Sequence, residues 1–465
     1  MPKQKLLRLK VKNRVMSEWI NEIDNYTDAV SYIMAIPRFS GKTGPEYTKA
    51  ILHRMYNRCD ASQSLETGTG LYNEACKIFH IAGTNGKGSV CAYLTSLHRA
   101  HGISVATFTS PHLVDVRERI MIDGVMVDEE QFFQGFLVVR DTLREVSNEE
   151  FFEGYSPTYF EWFFLIGAVI WSKCNPDAIV LETGLGGRLD ATNCVPRKNV
   201  AVITEIGFDH MQILGDTIAK IAYEKAGIIA PHTPVVTIKN KKESYDVICR
   251  QAEDIGSPCI TLNPANKNSV IMRDKNIDFS YESRYYNTVT LPLESRALYQ
   301  VENATLALRA FETVYPADVI NLDRVREGLL AMKWPGRMEE ITDGVFFDGA
   351  HNVDGIERFL ESVAIDGCTG VRRLVFSAVS DKQASRMIQM IAESKLFATV
   401  ATGALECDRR IETDILRELL APIEDARIFD DVNAAYDAMV HDKTAEDYVY
   451  VCGSLYLVAQ LKEHI

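Results

Sequence analysis

The segment Lys77-Ile-Phe-His-Ile-Ala-Gly-Thr-Asn-Gly-Lys-Gly-Ser-Val90 constrains the fold more than any other part of the chain. A short apolar run ends in glycine, a glycine-rich turn follows, and the residues after it suit a helix start. Gly83, Gly86 and Gly88 free backbone N–H groups to point into one concavity; the helix N-terminus adds partial positive charge and Lys87 a full one. This is a cradle for phosphate, and Ser89 offers a hydroxyl to a magnesium ion bridging phosphate oxygens. The spacing departs from the general P-loop pattern. No glycine stands six residues before Lys87, and Gly88 separates the lysine from its serine. Strand, loop and helix in this order belong in an α/β sheet whose ligands bind beyond the carboxyl ends of the strands.

At 465 residues the chain is too long for one ordinary core, so two domains are expected. Its 46% hydrophobic and 25% charged residues exclude a fibrous or extensively disordered chain. A net charge of −14 argues against general nucleic-acid binding, so anions must be held locally, with Lys87, Arg119, Arg188 and Arg337 as candidates. Ten cysteines without a Cys-x-x-Cys pair suggest neither a zinc site nor a disulfide framework; reduced thiols in a cytoplasmic protein fit best. The most apolar stretch, Tyr159 to Trp171, is shorter than the roughly 20 residues that span a bilayer and carries Glu161, so it reads as a buried helix and no membrane partner is expected. Six basic residues between Lys3 and Arg14 read as a plain basic extension, because serine enrichment and an apolar core are lacking.

Strands and helices alternate through the first two-thirds of the chain, the pattern of a mostly parallel sheet with helices on both faces. Strands are expected at 77–82, 103–108, 177–182 and 199–204. A helix should run from Lys87 to Gly102, another from its cap at Asp128, and a third should open at Asp216 and contain Lys225. A turn-rich, sheet-like stretch at 258–298 precedes a helix near Gln300. The pattern restarts after Trp334-Pro-Gly-Arg337, with strands expected at 345–348, 372–378, 397–402, 426–429 and 447–452, and the domain boundary is placed at that turn.

The short loop Gly83-Thr-Asn-Gly-Lys-Gly-Ser89 resembles that of the Mur-ligase superfamily, ATP-dependent enzymes that join a carboxylate to an amino acid, and within it the chain resembles the folylpolyglutamate synthase/dihydrofolate synthase family. The likeness extends from Tyr32-Ile-Met-Ala-Ile-Pro-Arg-Phe39 to Gly453-Ser-Leu-Tyr-Leu457. It implies an α/β fold class: a P-loop, Mur-ligase-like N-terminal domain with a mostly parallel sheet, spanning 1–334 and binding ATP and folate, and a smaller Rossmann-like α/β C-terminal glutamate-ligase domain, 335–465. The active site would lie between them. The implied reaction adds L-glutamate to the γ-carboxylate of a reduced folate through an acyl phosphate, with ATP and Mg2+ as cofactors, in a monomer.

The resemblance also implies roles, residue by residue. Gly83, Thr84, Asn85, Gly86, Lys87, Gly88 and Ser89 would hold the nucleotide with Asn303, which faces the adenine, Arg337, which clamps phosphate, and Asp348. Ser89, Glu182 and His210 would bind magnesium; Glu182 opens the string Glu-Thr-Gly-Leu-Gly-Gly-Arg-Leu-Asp-Ala-Thr-Asn193, and a carboxylate is the hard ligand that this ion prefers. Lys87, Lys225 and His351 would be catalytic, with Lys225 carbamylated so that its side chain supports the metal instead of repelling it, and His351 near the incoming glutamate. Ser110, Pro111, His112, Arg119, Phe160 and Glu161 would bind the pterin-bearing substrate, although packing explains Phe160 equally well, and a buried Glu161 needs a partner. Ser380-Asp-Lys-Gln383 departs from the Asp-Lys-Asp of many relatives, keeping Asp381 and Lys382 plausible and putting position 383 in doubt. The rivals are a Mur-type ligase acting on a cell-wall precursor, for which the first eighty residues leave little room for a further binding domain, and a nucleotide-dependent regulatory module without ligase activity.

Overall fold

The computed structural model describes residues 20–37, 44–59, 75–195, 197–264, 270–273, 275–380, 383–407 and 409–465. The basic segment at 3–14, Arg38, Phe39, Asp381 and Lys382 lie outside the described residues.

Eight strands form the first sheet: β1 (Lys77–Ala82), β2 (Val105–Phe108), β3 (Ile120–Ile122), β4 (Val125–Met126), β5 (Ala178–Glu182), β6 (Val200–Ile203), β7 (Val235–Ile238) and β8 (Cys259–Leu262). Their order is β4-β3-β2-β5-β1-β6-β7-β8, parallel from β2 to β8, with β3 antiparallel to both β2 and β4 at one edge. The strand entering the phosphate loop is therefore central, with β5 and β6 as parallel neighbours, in register Ile81↔Glu182 and Ala82↔Ile203. Three carboxyl ends thus meet at one edge of the sheet. Helices cover both faces because the strands are apolar on both: Ile78 packs with the helices Glu129–Val146 and Tyr159–Cys174, while Phe79 and Ile81 pack with Lys87–Ala100 and Tyr299–Val314. Trp162, Phe163 and Phe164 in the apolar helix are fully buried, each contributing ~2–3 kcal/mol of burial.

A small antiparallel sheet, β9 (Val270–Arg273), β10 (Asn276–Glu282) and β11 (Thr288–Leu293), adds Phe279 and Leu291 to the second of these cores. After Arg337 come β12 (Glu339–Thr342), β13 (Val345–Phe347), β14 (Arg372–Phe376), β15 (Thr399–Ala404), β16 (Ala426–Asp431) and β17 (Tyr448–Cys452), in the order β12-β13-β17-β14-β15-β16. Only β12 runs antiparallel to its neighbour. This second sheet has its own core on each face.

The sequence expectations need correction at several points, among them the strand expected at 397–402, which is Thr399–Ala404. The helix after the phosphate loop stops at Ala100, because His101 leaves helical geometry before Gly102 turns left-handed (φ +71). β2 starts at Val105, not at residue 103. The helix carrying Lys225 is Ile218–Ala226 and is capped by Thr217, whose hydroxyl accepts from Lys220 N; Asp216 is exposed and pairs with Lys220 Nζ at 2.9 Å. Cys249 and Cys259 are joined as a disulfide between the helix Lys242–Asp254 and β8, against the expectation of reduced thiols throughout. β12 was not anticipated, since Glu339-Glu-Ile-Thr342 lacks a buried apolar run.

Candidate active site

A cleft of about 990 Å³ opens where the carboxyl ends of β1, β5 and β6 face the ends of β13 and β17. The phosphate loop forms its floor. Gly83 sits at φ +153 where a Cβ would collide with Thr204 Oγ1, and Gly86 caps the following helix in the left-handed region (φ +88) where a Cβ would strike Asn303 Oδ1, so neither position accepts a side chain. Asn303, donating to Gln300 Oε1 at 3.0 Å, thereby touches the loop. Thr84 N and Asn85 N donate to Glu205 O, which ties the loop to the segment after β6. Lys87 Nζ donates to Gly83 O (3.1 Å) and Thr84 O (3.3 Å) and stands 3.9 Å from Glu182 Oε1. It is a cation held by neutral carbonyls and one longer ion pair, a state that a phosphate would improve on.

Ser89 is 1% exposed and its hydroxyl has no hydrogen-bond partner among the described residues; the same holds for Thr183, beside Glu182. Glu182 is 3% exposed and accepts from Ser110 N at 3.0 Å, and burial raises its pKa while Lys87 pulls it back. An orphaned buried hydroxyl beside a buried carboxylate fits a hard cation. Among the described residues no three His, Cys, Asp or Glu side chains converge into a metal cage, so the protein would supply part of a coordination shell and a phosphate the rest. His210 lies in the left-handed region (φ +50) ahead of the short helix Met211–Leu214, on the cleft wall, its Nε2 3.9 Å from Asp209 Oδ1. Lys225 is 5% exposed and donates to Gly83 O at 2.7 Å, directly behind the phosphate loop; burial first, and Lys87 second, push its pKa down to about 7.

Ser110, Pro111, His112, Arg119, Phe160 and Glu161 all line the same cleft. Arg119 donates to His112 Nδ1 (2.8 Å) and stacks over the Tyr159 and Phe163 rings at 5.2 and 4.8 Å. Phe160 lies over Gly184 and edge-on to Phe108, so it both packs and faces the cleft. Glu161 finds the partners that a buried carboxylate needs: it closes a capping box with Thr158 and accepts from Thr48 Oγ1 at 3.2 Å. Each carboxylate oxygen thus accepts one hydrogen bond from the wall, and the residue lines the cleft with the others.

The opposite wall comes from the second sheet. Asp348, 2% exposed, accepts from Tyr299 Oη (2.5 Å), Met338 N (3.0 Å) and Ala350 N (2.8 Å), and burial raises its pKa. Arg337 lines the cleft on the preceding turn and donates to Gly336 O at 3.0 Å. His351 Nδ1 donates to Gly349 O (2.8 Å), which aims Nε2 at Asp209 Oδ2, 3.7 Å away on the first wall. Gln383, the doubtful position, precedes the helix Ala384–Ser394 without a side-chain capping bond.

Sequence reasoning missed Thr183, Asp190, Asp209, Tyr299 and Asn352. Asp190 is buried and accepts from Gly184 N and Leu185 N (both 2.9 Å), holding the glycine-rich loop in shape. Asp190 and Thr183 stand inside the quoted Glu182 string, Asp209 beside His210, and Asn352 one residue past His351, so each carried a signal of position. Tyr299 carried none, since its partner Asp348 is 49 residues away.

Two mostly parallel sheets that face each other across one cleft, with a phosphate loop on the first wall and an acid–histidine pair on the second, define a Mur-type ligase. Residues 172–311 match the Mur ligase middle domain and residues 336–455 the Mur ligase glutamate ligase domain. The chain is 30% identical over 453 residues to the dihydrofolate synthase/folylpolyglutamate synthase of Bacillus subtilis, covering 95% of this chain and 99% of the relative. It is similar to Escherichia coli FolC in complex with DHPP and ADP, with TM-score 0.79 and 28% identity over 95% of this chain and 97% of that one. It also resembles the Yersinia pestis bifunctional folylpolyglutamate synthase/dihydrofolate synthase, with TM-score 0.77 and 26% identity over 95% of this chain and 99% of that one. The chain belongs to the folylpolyglutamate synthase/dihydrofolate synthase family of the Mur ligase superfamily.

Proposed function

We propose that this protein is an ATP- and magnesium-dependent ligase that adds L-glutamate through its amine to the γ-carboxylate of a reduced folate, and that it also glutamylates dihydropteroate. The observation that carries this reading is the single cleft in which the phosphate loop, Glu182, Arg119, Asp348 and His351 all face one another. The paired activities in the names of the Bacillus subtilis and Escherichia coli relatives support the second substrate.

The folate carboxylate attacks the γ-phosphorus of ATP, ADP leaves, and an acyl phosphate forms. Lys87 and Arg337 compensate the charge that collects on the phosphoryl oxygens, and the Gly83–Ser89 backbone positions them. Ser89, Glu182 and His210 would hold magnesium, which supplies further neutralisation of phosphate charge. The neutral amine of glutamate then attacks the acyl carbon, phosphate leaves, and the amine proton is lost to solvent or a nearby acceptor. His351 stands on the second wall where that amine must approach, and closure of the walls keeps water from the acyl phosphate. Asn303 would face the adenine, and Arg119 with Phe160 would meet the pterin-bearing substrate.

Lys225 is proposed to be carbamylated: its neutral amine adds to carbon dioxide and releases one proton, leaving an anion beside the metal ligands. A buried amine with its pKa lowered to about 7 supports this. We place the domain boundary at Trp334–Pro335, ahead of the matched glutamate ligase domain, and propose a monomer. No helix among the described residues is long and apolar enough to cross a membrane. The cytoplasm is the compartment proposed for this reaction, and the Cys249–Cys259 disulfide runs against it.

Purified protein with ATP, magnesium, labelled glutamate and either tetrahydrofolate or dihydropteroate should yield a product heavier by one glutamyl residue, with one ADP per bond formed. ATP hydrolysis that needs no glutamate and leaves the folate mass unchanged would instead support the regulatory module.

A further inference from the structure

The two walls are joined at the phosphate loop itself. Asn85 Nδ2 donates to Asn352 Oδ1 at 3.2 Å and Asn352 Nδ2 donates to Asn85 Oδ1 at 3.0 Å, a reciprocal amide pair between residues 267 apart in sequence. Each partner is fixed from behind. The Asn85 backbone donates to Glu205 O, and its carbonyl accepts from Thr204 Oγ1 at 2.6 Å, so the first wall holds it rigidly. Asn352, 4% exposed, is also the N-cap of the helix Val353–Val363, accepting from Gly355 N at 2.8 Å. It follows His351 directly and stands four residues after Asp348.

Elsewhere along this seam Tyr299 Oη donates to Asp348 and Leu298 N donates to Ser362 Oγ, and ion pairs add to them. Arg358 on the same helix reaches Glu205 (3.3 Å) and Glu302 (3.4 Å), and Asp354 pairs with Lys241 at 2.5 Å. Ion pairs of long side chains tolerate sliding and weaken with salt, whereas two short amides bonded both ways fix distance and angle together.

We propose that Asn85 and Asn352 are positioning residues that set His351 and Asp348 in register with the phosphate loop, so that the attacking amine meets the acyl phosphate formed there. This rests on the ligase reading above. The pair makes no contact with reacting atoms in the proposal; it acts through its neighbours on either side.

Asn352→Ser separates this role from capping, because serine keeps a capping oxygen but is too short to reach Asn85. Asn352→Asp keeps the cap and one of the two pairing bonds. Turnover should fall about tenfold in Asn352→Ser and in Asn85→Ala, with KM for ATP and the melting temperature near wild type in the former, and Asn352→Asp should lie between Asn352→Ser and wild type. The double variant Asn85→Ala/Asn352→Ser should lose about tenfold, not a hundredfold, since both changes break one interaction. Small-angle scattering of the protein without nucleotide should show a larger radius of gyration for Asn352→Ser, a readout independent of any ligase assay. Wild-type turnover in Asn352→Ser, losses that multiply in the double variant, or an unchanged radius would each overturn the proposal. A wild-type protein that forms no glutamyl product would refute the ligase reading and leave the scattering result to judge the pair alone.

Discussion

The two walls of the cleft treat their polar groups in opposite ways. On the first, Ser89 Oγ and Thr183 Oγ1 are buried without partners among the described residues, and Lys87 is turned back onto the carbonyls of its own loop. On the second, Asp348 accepts three hydrogen bonds, His351 Nδ1 is taken by Gly349 O, and Asn352 is used twice over. Unsatisfied buried groups cost stability, so a protein keeps them where a ligand will supply what is missing. The first wall is thus built to receive, and the second to hold its own shape while presenting groups to what the first has bound. Substitutions should separate the same way: on the first wall function is lost and folding kept, on the second folding suffers as well wherever the change removes that wall's internal hydrogen bonds.

Lys87→Ala should show the largest effect. Removing the only side-chain cation of the phosphate loop should lower kcat/KM about a hundredfold or more with an unchanged circular dichroism spectrum. Near-normal turnover with a native spectrum would break the comparison at its strongest point.

Lys225→Ala should cost about thirtyfold in turnover while nucleotide binding persists, and small carboxylates in solution should restore part of it. Carbon-13 NMR with labelled bicarbonate should show a carbamate whose occupancy grows as pH rises through about 7, where the amine becomes neutral. The sign for stability is the same. The pKa of the unmodified group is lowered from 10.5 to about 7, so a cost of burying charge is present below pH 7 and is relieved as pH rises from about 7 towards 10.5. Lys225→Met should flatten that rise in a denaturant titration.

Arg337→Ala should have a smaller effect, about tenfold on turnover, because its guanidinium assists a charge that Lys87 already meets. Unchanged nucleotide affinity and turnover would place the whole site on the first wall.

Much of this was legible in the sequence for a physical reason. Buried parallel strands are short apolar runs, and ligand groups cluster just after them, so β1, β5 and β6 and the loops leaving them could be read locally. The five strands from Val345 onward followed the same logic. What could not be read was pairing between distant segments. The Thr48 partner of Glu161 lies 113 residues away in sequence, and the meeting of Asn85 with Asn352 depends on how two sheets pack. The Cys249–Cys259 disulfide, between positions ten residues apart on a helix and the next strand, was likewise invisible to spacing alone.

The asymmetry of the walls is tested most directly by measuring unfolding free energy and turnover side by side for Ser89→Ala and Asp348→Asn. Ser89→Ala, which removes a buried hydroxyl with no partner among the described residues, should be as stable as wild type or more so yet turn over about tenfold more slowly, with a raised magnesium requirement. Asp348→Asn, which sets an amide among three donors, should lose about 2 kcal/mol of stability along with activity. A destabilised Ser89→Ala with normal turnover, or an Asp348→Asn as stable as wild type, would contradict that asymmetry.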